Sequence, residues 1–179
     1  MTAIGDANIL IVATDGFEQS ELFGPRAILL ERGARVVLAA PDRKPIQATV
    51  LDDPGQTIRP DLTIAEASAA DFDALVLPGG LRNPDALRLN GEAIALIRAF
   101  DVAGKVIGSI CHGPWLLIQA DLVRGRRMTG WRSIRTDLRN AGANVIDEAA
   151  VTDGNLVTSR APDDVPAFTE ALIAAIEAA

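Results

Sequence analysis

Val106-Ile107-Gly108-Ser109-Ile110-Cys111-His112-Gly113-Pro114 is the stretch on which the fold turns. Residues 106–110 read as a buried strand, and Pro114 reads as the first turn of a helix, where its missing N–H has no intrahelical partner to lose. Cys111, His112 and Gly113 form the turn between them. A strand that passes this abruptly into a helix is the repeating unit of an α/β protein with a parallel sheet.

Working outward, the same unit recurs. Ile9-Leu10-Ile11-Val12-Ala13 is continuously apolar, as a strand covered on both faces must be. A helix follows over about Glu21 to Arg32, with Phe23, Ala27 and Leu30 at helical spacing and Gly33 ending it. Arg35 to Ala40 is the next strand. Residues 41–60, rich in Pro, Asp and Gly, read as an excursion from the sheet in the form of a hairpin. Ala74-Leu75-Val76-Leu77 is a buried strand stopping at Pro78-Gly79-Gly80. Asn90 caps a helix with Ala93, Leu96, Ile97 and Phe100 in one apolar stripe. Ser133 to Asn140 is expected to be helical, and Asp153-Gly154 to be a turn between two short strands. A last helix starts near Asp164 and turns Val165, Phe168, Leu172 and Ile176 inward. The expected fold is α/β: a flavodoxin-like, doubly wound, mainly parallel sheet with helices on both faces, in a single domain over residues 1–179.

Composition narrows the function classes. The chain is 49% hydrophobic, yet no apolar run approaches the roughly 18 residues of a bilayer-spanning helix, so no membrane partner is expected. The apolar stretch Ile9–Ala13 has no Lys or Arg before it and is shorter than a signal-peptide core, so a cytoplasmic location is expected. A single cysteine, which has no partner for an internal disulfide, fits that compartment. The net charge of −7 argues against nucleic acid, and Arg124, Arg126 and Arg127 read as a solvated turn. One Cys and one His are too few soft ligands for a zinc site, and no metal or other cofactor is expected.

In open parallel sheets ligands bind outside the carboxyl ends of the strands. Asp15-Gly16-Phe17-Glu18, Pro78-Gly79-Gly80 and Cys111-His112-Gly113 all fall there. Ser109-Ile110-Cys111-His112-Gly113 has the small-x-nucleophile-x-small pattern of a nucleophile elbow, in which crowding permits only small residues two positions to either side. At the start of a helix its thiol pKa is expected to fall. A lone cysteine serves equally as a small buried hydrophobe, and the turn around Cys111 is what points to chemistry instead. His112 is either a surface residue or the partner of the sulfur. Glu18 is either solvated or held beside the thiolate, where it would keep its proton. Gly79 and Gly80 serve the turn alone or, with the His112 N–H, form an oxyanion hole.

With these residues the sequence closely resembles the PfpI family of intracellular cysteine hydrolases, in the superfamily that includes the Parkinsonism-associated deglycase. The match runs through Asp15-Gly16-Phe17-Glu18 with Glu21-Leu22, residues 72–80, Ser109–Pro114, Arg139–Ala143 and Leu156–Arg160. The resemblance implies a nucleophilic Cys111, a protonated Glu18 bonded to its sulfur, His112 as the adjacent partner, and an oxyanion hole from the backbones of Gly80 and His112. It also implies a homo-oligomer, a homodimer or a hexamer, in which an acidic residue after Pro-Gly-Gly reaches the histidine of a neighbouring subunit. Asp85 matches that position, with Asp in place of the usual Glu and one extra loop residue before it. The implied activities are conversion of methylglyoxal to lactate, deglycation of early glyoxal adducts and peptidase action, in stress protection, with a small carbonyl compound or a peptide as substrate.

Three other readings bear on the same residues. A glutamine amidotransferase requires a later histidine, and none follows His112. A nucleotide-binding domain requires a G-x-G-x-x-G loop after the first strand, where Thr14–Glu18 stands instead. A non-enzymatic redox sensor or holdase, working by oxidation of Cys111, stays open.

Overall fold

The structure, a computed structural model, describes residues 2–51 and 53–179. In chain order the strands are Asn8–Val12 (β1), Phe17–Glu18 (β2), Arg35–Ala40 (β3), Ile46–Val50 (β4), Asp53–Ile58 (β5), Leu62–Thr63 (β6), Ala74–Leu77 (β7), Val106–Ile110 (β8), Arg127–Met128 (β9), Asn144–Val145 (β10), Ala150–Asp153 (β11) and Leu156–Ser159 (β12). The α-helices are Gln19–Glu31 (α1), Arg82–Leu87 (α2), Gly91–Val102 (α3), Pro114–Gln119 (α4), Arg135–Asn140 (α5) and Val165–Ala178 (α6).

The main sheet has the order β11-β12-β8-β7-β1-β3-β6, with every pair parallel except β11 with β12. From β1 the chain builds outward through β3 and β6, then returns to the other side of β1 and builds through β7, β8 and β12. The order therefore reverses between β1 and β7, and loops leaving those two strands diverge to open a crevice at their carboxyl ends. Alternation along β1 splits the core in two. Ile9 and Ile11 pack on one face with α1 and α6 residues such as Leu22, Leu29, Phe168 and Leu172. Leu10 and Val12 pack on the other with Ile97, Phe100, Leu116 and Leu138.

Close approach fixes the position of the site-bearing strand. A Cβ on Gly108 of β8 would lie 2.9 Å from Phe168 Cζ and 3.0 Å from Leu172 Cδ1, so glycine lets α6 sit directly on β8. Truncating the fully buried Phe168 to Ala would cost about 3–5 kcal/mol.

The excursion over residues 41–60 is a hairpin, β4 antiparallel to β5, and β2 joins it in a separate three-stranded sheet. The helix near Ser133 begins as a 3₁₀ turn, Arg132–Ile134, before α5. On α1 the buried residues are Glu21, Leu22, Pro25 and Leu29, while Leu30 is exposed, so the stripe expected through Phe23, Ala27 and Leu30 is rotated away from the core. The apolar residues at 22, 25 and 29 carry the better helical spacing, and Glu21 falls on their face. No helix among the described residues is long and apolar enough to cross a membrane.

Candidate active site

Cys111 closes β8 with φ 61°, a left-handed conformation that non-glycine residues rarely adopt. The surroundings hold it there. Its N–H donates to Ser159 O at 3.0 Å and its carbonyl accepts from Trp131 N–H at 2.8 Å. The crowding expected of an elbow is present, since a Cβ on Gly113 would lie 2.6 Å from both Leu77 O and Ser109 Oγ. The side chain projects into a cavity of about 360 Å³ that Glu21, Gly80, His112, Trp131 and Ser133 also line.

The three loops named from the sequence meet here. Gly80 has φ 78° and packs so tightly that an added Cβ would collide with Gly16 O and meet Glu18 N at 2.7 Å. Asn83, fully buried on α2, ties the loops together: its Nδ2 donates to Pro78 O at 2.9 Å and Gly79 O at 3.0 Å, and its Oδ1 accepts from Thr14 N–H at 2.8 Å. Asn83 carries no sequence signal of its own, because the helix that holds it is only six residues long.

The carboxyl beside the sulfur belongs to Glu21, not to Glu18. Glu21 is fully buried in the first turn of α1 and lines the cavity beside the Cys111 thiol. Its Oε2 accepts from Gly79 N–H at 2.9 Å, and its Oε1 has no hydrogen-bond partner among the described residues. Glu18 is half-buried at the cavity wall, with its Oε2 accepting from Leu51 N–H at 3.2 Å. The helical turn explains the exchange. Residue 18 ends β2 and points along the hairpin, whereas residue 21 turns inward with Leu22 and Pro25.

Burial pushes the Glu21 carboxyl up to about 8, with the nearby Glu18 charge adding to the rise. Burial and the Glu21 carboxyl also push the Cys111 thiol up, opposed by the backbone N–H groups of Gly80 and His112. The thiol lowering expected from a helix N-terminus is therefore outweighed. The helix after the turn is α4, of only six residues, while the thiol is 5% exposed and faces a carboxyl. Two such groups in contact do not both carry charge at neutral pH.

His112 Nδ1 stands 3.3 Å from Cys111 Sγ, and its Nε2 stands 3.4 Å from Ser133 Oγ. The ring is tilted against Trp115 and Trp131, with centroids at 5.2 and 6.0 Å. Burial pulls its pKa down, so it is neutral at pH 7. Asp85 is exposed on α2 and makes no hydrogen bond to His112 of its own chain. Of the expected oxyanion donors, the backbone N–H groups of Gly80 and His112 favour the thiolate of Cys111, while Gly79 gives its N–H to Glu21. Among the described residues no three His, Cys, Asp or Glu side chains are grouped to hold a metal ion.

Comparison with known proteins gives the same grouping. Residues 7–175 match the model of the DJ-1/PfpI family. A deglycase of Thermococcus kodakarensis is 42% identical over 160 residues, covering 89% of this chain and 93% of its own. General stress protein 18 of Bacillus subtilis is 40% identical over 171 residues, covering 94% and 97%. Among solved structures, a two-domain protein of Anabaena variabilis with DJ-1/ThiJ/PfpI-like and ferritin-like domains superposes with a TM-score of 0.92 at 35% identity. That match covers 96% of this chain and 48% of the two-domain protein. Elbow, sheet order and sequence agree, and this chain belongs to the DJ-1/PfpI family.

Proposed function

We propose that this protein is a cysteine-dependent enzyme that adds the Cys111 thiolate to the carbonyl of small dicarbonyls such as methylglyoxal, or of their early adducts on amines and thiols. One observation carries the reading: a buried cysteine with φ 61° has His112 Nδ1 3.3 Å from its sulfur and shares one cavity with the proton-holding carboxyl of Glu21 and the backbone of Gly80. The deglycase name of the Thermococcus kodakarensis relative supports it.

The chemistry balances within the site. His112 Nδ1 takes the thiol proton, and the thiolate forms a C–S bond to the aldehyde carbon while the C=O π pair moves to oxygen. The N–H groups of Gly80 and His112 hold that oxygen, and Glu21 hydrogen-bonds the sulfur without adding a second charge. With methylglyoxal, moving the aldehyde hydrogen as a proton to the neighbouring carbonyl carbon oxidises the first carbon to a thioester and reduces the second to an alcohol. Water then releases lactate and restores the thiol, and no external oxidant is needed.

A second reading is a stress protein whose Cys111 is oxidised without turnover. It is favoured by the Glu21 proton, which can bond a sulfinate oxygen, and by the name of the Bacillus subtilis relative. Purified protein assayed on methylglyoxal, on a methylglyoxal-treated amino acid and on a peptide separates the readings. Lactate from the first two is expected. Peptide cleavage without lactate, or no turnover of any of them, contradicts the carbonyl reading.

A further inference from the structure

The left-handed conformation of Cys111 persists only if its surroundings hold it. Two segments do so, one at each end of the residue: the Cys111 N–H donates to Ser159 O at 3.0 Å, and the Cys111 carbonyl accepts from Trp131 N–H at 2.8 Å. Both segments lead to one carboxylate. Arg160, next to Ser159, donates from Nη1 to Asp147 Oδ1 at 3.0 Å. Arg135, at the start of α5, donates to both oxygens of Asp147 at 2.7 Å and from its Nε to Gly130 O at 3.4 Å. Asp147 in turn follows β10, where Ile146 N–H donates to Met128 O at 2.9 Å. The segments Gly130-Trp131 and Ser159-Arg160 are thereby tied to each other in a surface pocket that shares only Trp131 with the catalytic cavity.

We propose that Asp147 is a positioning residue for Cys111: by holding Arg135 and Arg160 together it clamps the two segments that fix the Cys111 peptide, and so keeps the sulfur facing His112 Nδ1. An isolated ion pair at a surface contributes little to stability, and the Asp147 side chain is 61% exposed. Here the pair belongs to a network. The Arg135 and Arg160 side chains are only 20% and 33% exposed, and the Arg135 contact is bidentate. Arg160 is also held by both oxygens of Asp164, at 2.8 and 3.0 Å. The two guanidiniums keep the Asp147 carboxyl below the usual carboxylate range, so it is charged at pH 7. The clamp acts on where the sulfur stands more than on the fold as a whole. It leaves free the side of His112 where a neighbour's Asp85 is expected. The inference rests on the Cys111 reading for its effect on reactivity, and not for the clamp itself.

Amide hydrogen exchange of the full-length protein, followed by NMR, reads the clamp directly. Alkylation of Cys111 by iodoacetamide, an uncharged reagent, reads its effect on the sulfur. In Asp147→Ala the Cys111 and Trp131 amides are expected to exchange about tenfold faster than in wild type. The Ala13 and Ile107 amides, bonded to Ala39 O and Asn155 O at the central strands, are expected to keep their wild-type rates. Alkylation at pH 7 is expected to slow about fivefold, the cost of a misplaced reacting atom. Asp147→Glu, which keeps the carboxylate, is expected to restore both. Wild-type exchange at Cys111 and Trp131 in the alanine variant overturns the proposal. Exchange that rises equally at Ala13 and Ile107 overturns it too, since that marks a loss of global stability, and so does faster local exchange without slower alkylation. A wild-type thiol inert to iodoacetamide overturns the nucleophile reading instead, and the exchange rates, which need no reaction at sulfur, still decide the clamp.

Discussion

Glu21 Oε2 accepts the Gly79 N–H at 2.9 Å while the same carboxyl lines the cavity beside the Cys111 thiol, so one buried side chain ties the start of α1 to the end of β7 next to the elbow. Burial pushes that carboxyl up to about 8, with the thiol contact opposing the rise and the nearby Glu18 charge adding to it.

That shift sets a pH dependence of stability. An acid whose folded pKa lies above its unfolded value binds its proton more tightly in the folded state, so stability falls as pH rises from about 4.5 to about 8 and is level beyond. Glu21→Gln keeps an acceptor for Gly79 and removes the titration. Thermal melts should show the variant more stable than wild type at pH 8, on the order of 4 kcal/mol or roughly 10 °C, with the gap closing by pH 4.5. A constant gap at both pH values would place the shift elsewhere.

Peroxide sensitivity should follow Glu21 and not Glu18. Dilute peroxide is expected to accumulate sulfinic acid on Cys111 in the wild type and in Glu18→Leu, and markedly less in Glu21→Leu. Intact-mass spectra of the three proteins check this, and equal oxidation of all three would remove the carboxyl from the account.

The glycines around the elbow should not tolerate a methyl group. A Cβ on Gly79 would lie 2.5 Å from Glu21 Oε2, 2.7 Å from Cys111 Cβ and 2.8 Å from Ile110 O. Gly79→Ala is expected to cost about 2–4 kcal/mol in denaturant unfolding and to slow Cys111 alkylation. At Gly91, where nothing lies within 4 Å, the same change should be neutral or slightly stabilising.

Asp85 is expected to act across a subunit interface, because it is exposed and does not bond His112 of its own chain. Asp85→Ala should then lower activity without unfolding the protein. Mixing it with Cys111→Ser and allowing subunits to exchange should restore about a quarter of wild-type activity in a two-fold dimer. No recovery after confirmed exchange would show that Asp85 does not complete a neighbour's site.

Much of this was legible in the sequence. The buried runs at 9–13, 74–77 and 106–110 locate the central strands, because strands covered on both faces cannot alternate. The small residues Ser109 and Gly113 mark the elbow, since the turn leaves no space beside Cys111. The choice between Glu18 and Glu21 was not legible from charge or motif, because both lie in the matching segment three residues apart. The signal was periodicity: Glu21 shares the face of Leu22, Pro25 and Leu29, and an acid on an apolar helix face requires a partner inside. The contact of Ser133 with His112 left no such trace, because it depends on a fold-back from Trp131 to the Cys111 carbonyl.

The central claim is that the Cys111 sulfur performs the chemistry and that Glu21 is the carboxyl that serves it. The most direct measurement is the initial rate of lactate formation from methylglyoxal by wild type, Cys111→Ser, Glu21→Gln and Glu18→Gln, each first shown folded by circular dichroism. The account predicts no detectable turnover for Cys111→Ser, a loss of about a hundredfold in kcat for Glu21→Gln, and a rate within about threefold of wild type for Glu18→Gln. Wild-type turnover by Cys111→Ser, or a greater loss from Glu18→Gln than from Glu21→Gln, would contradict it.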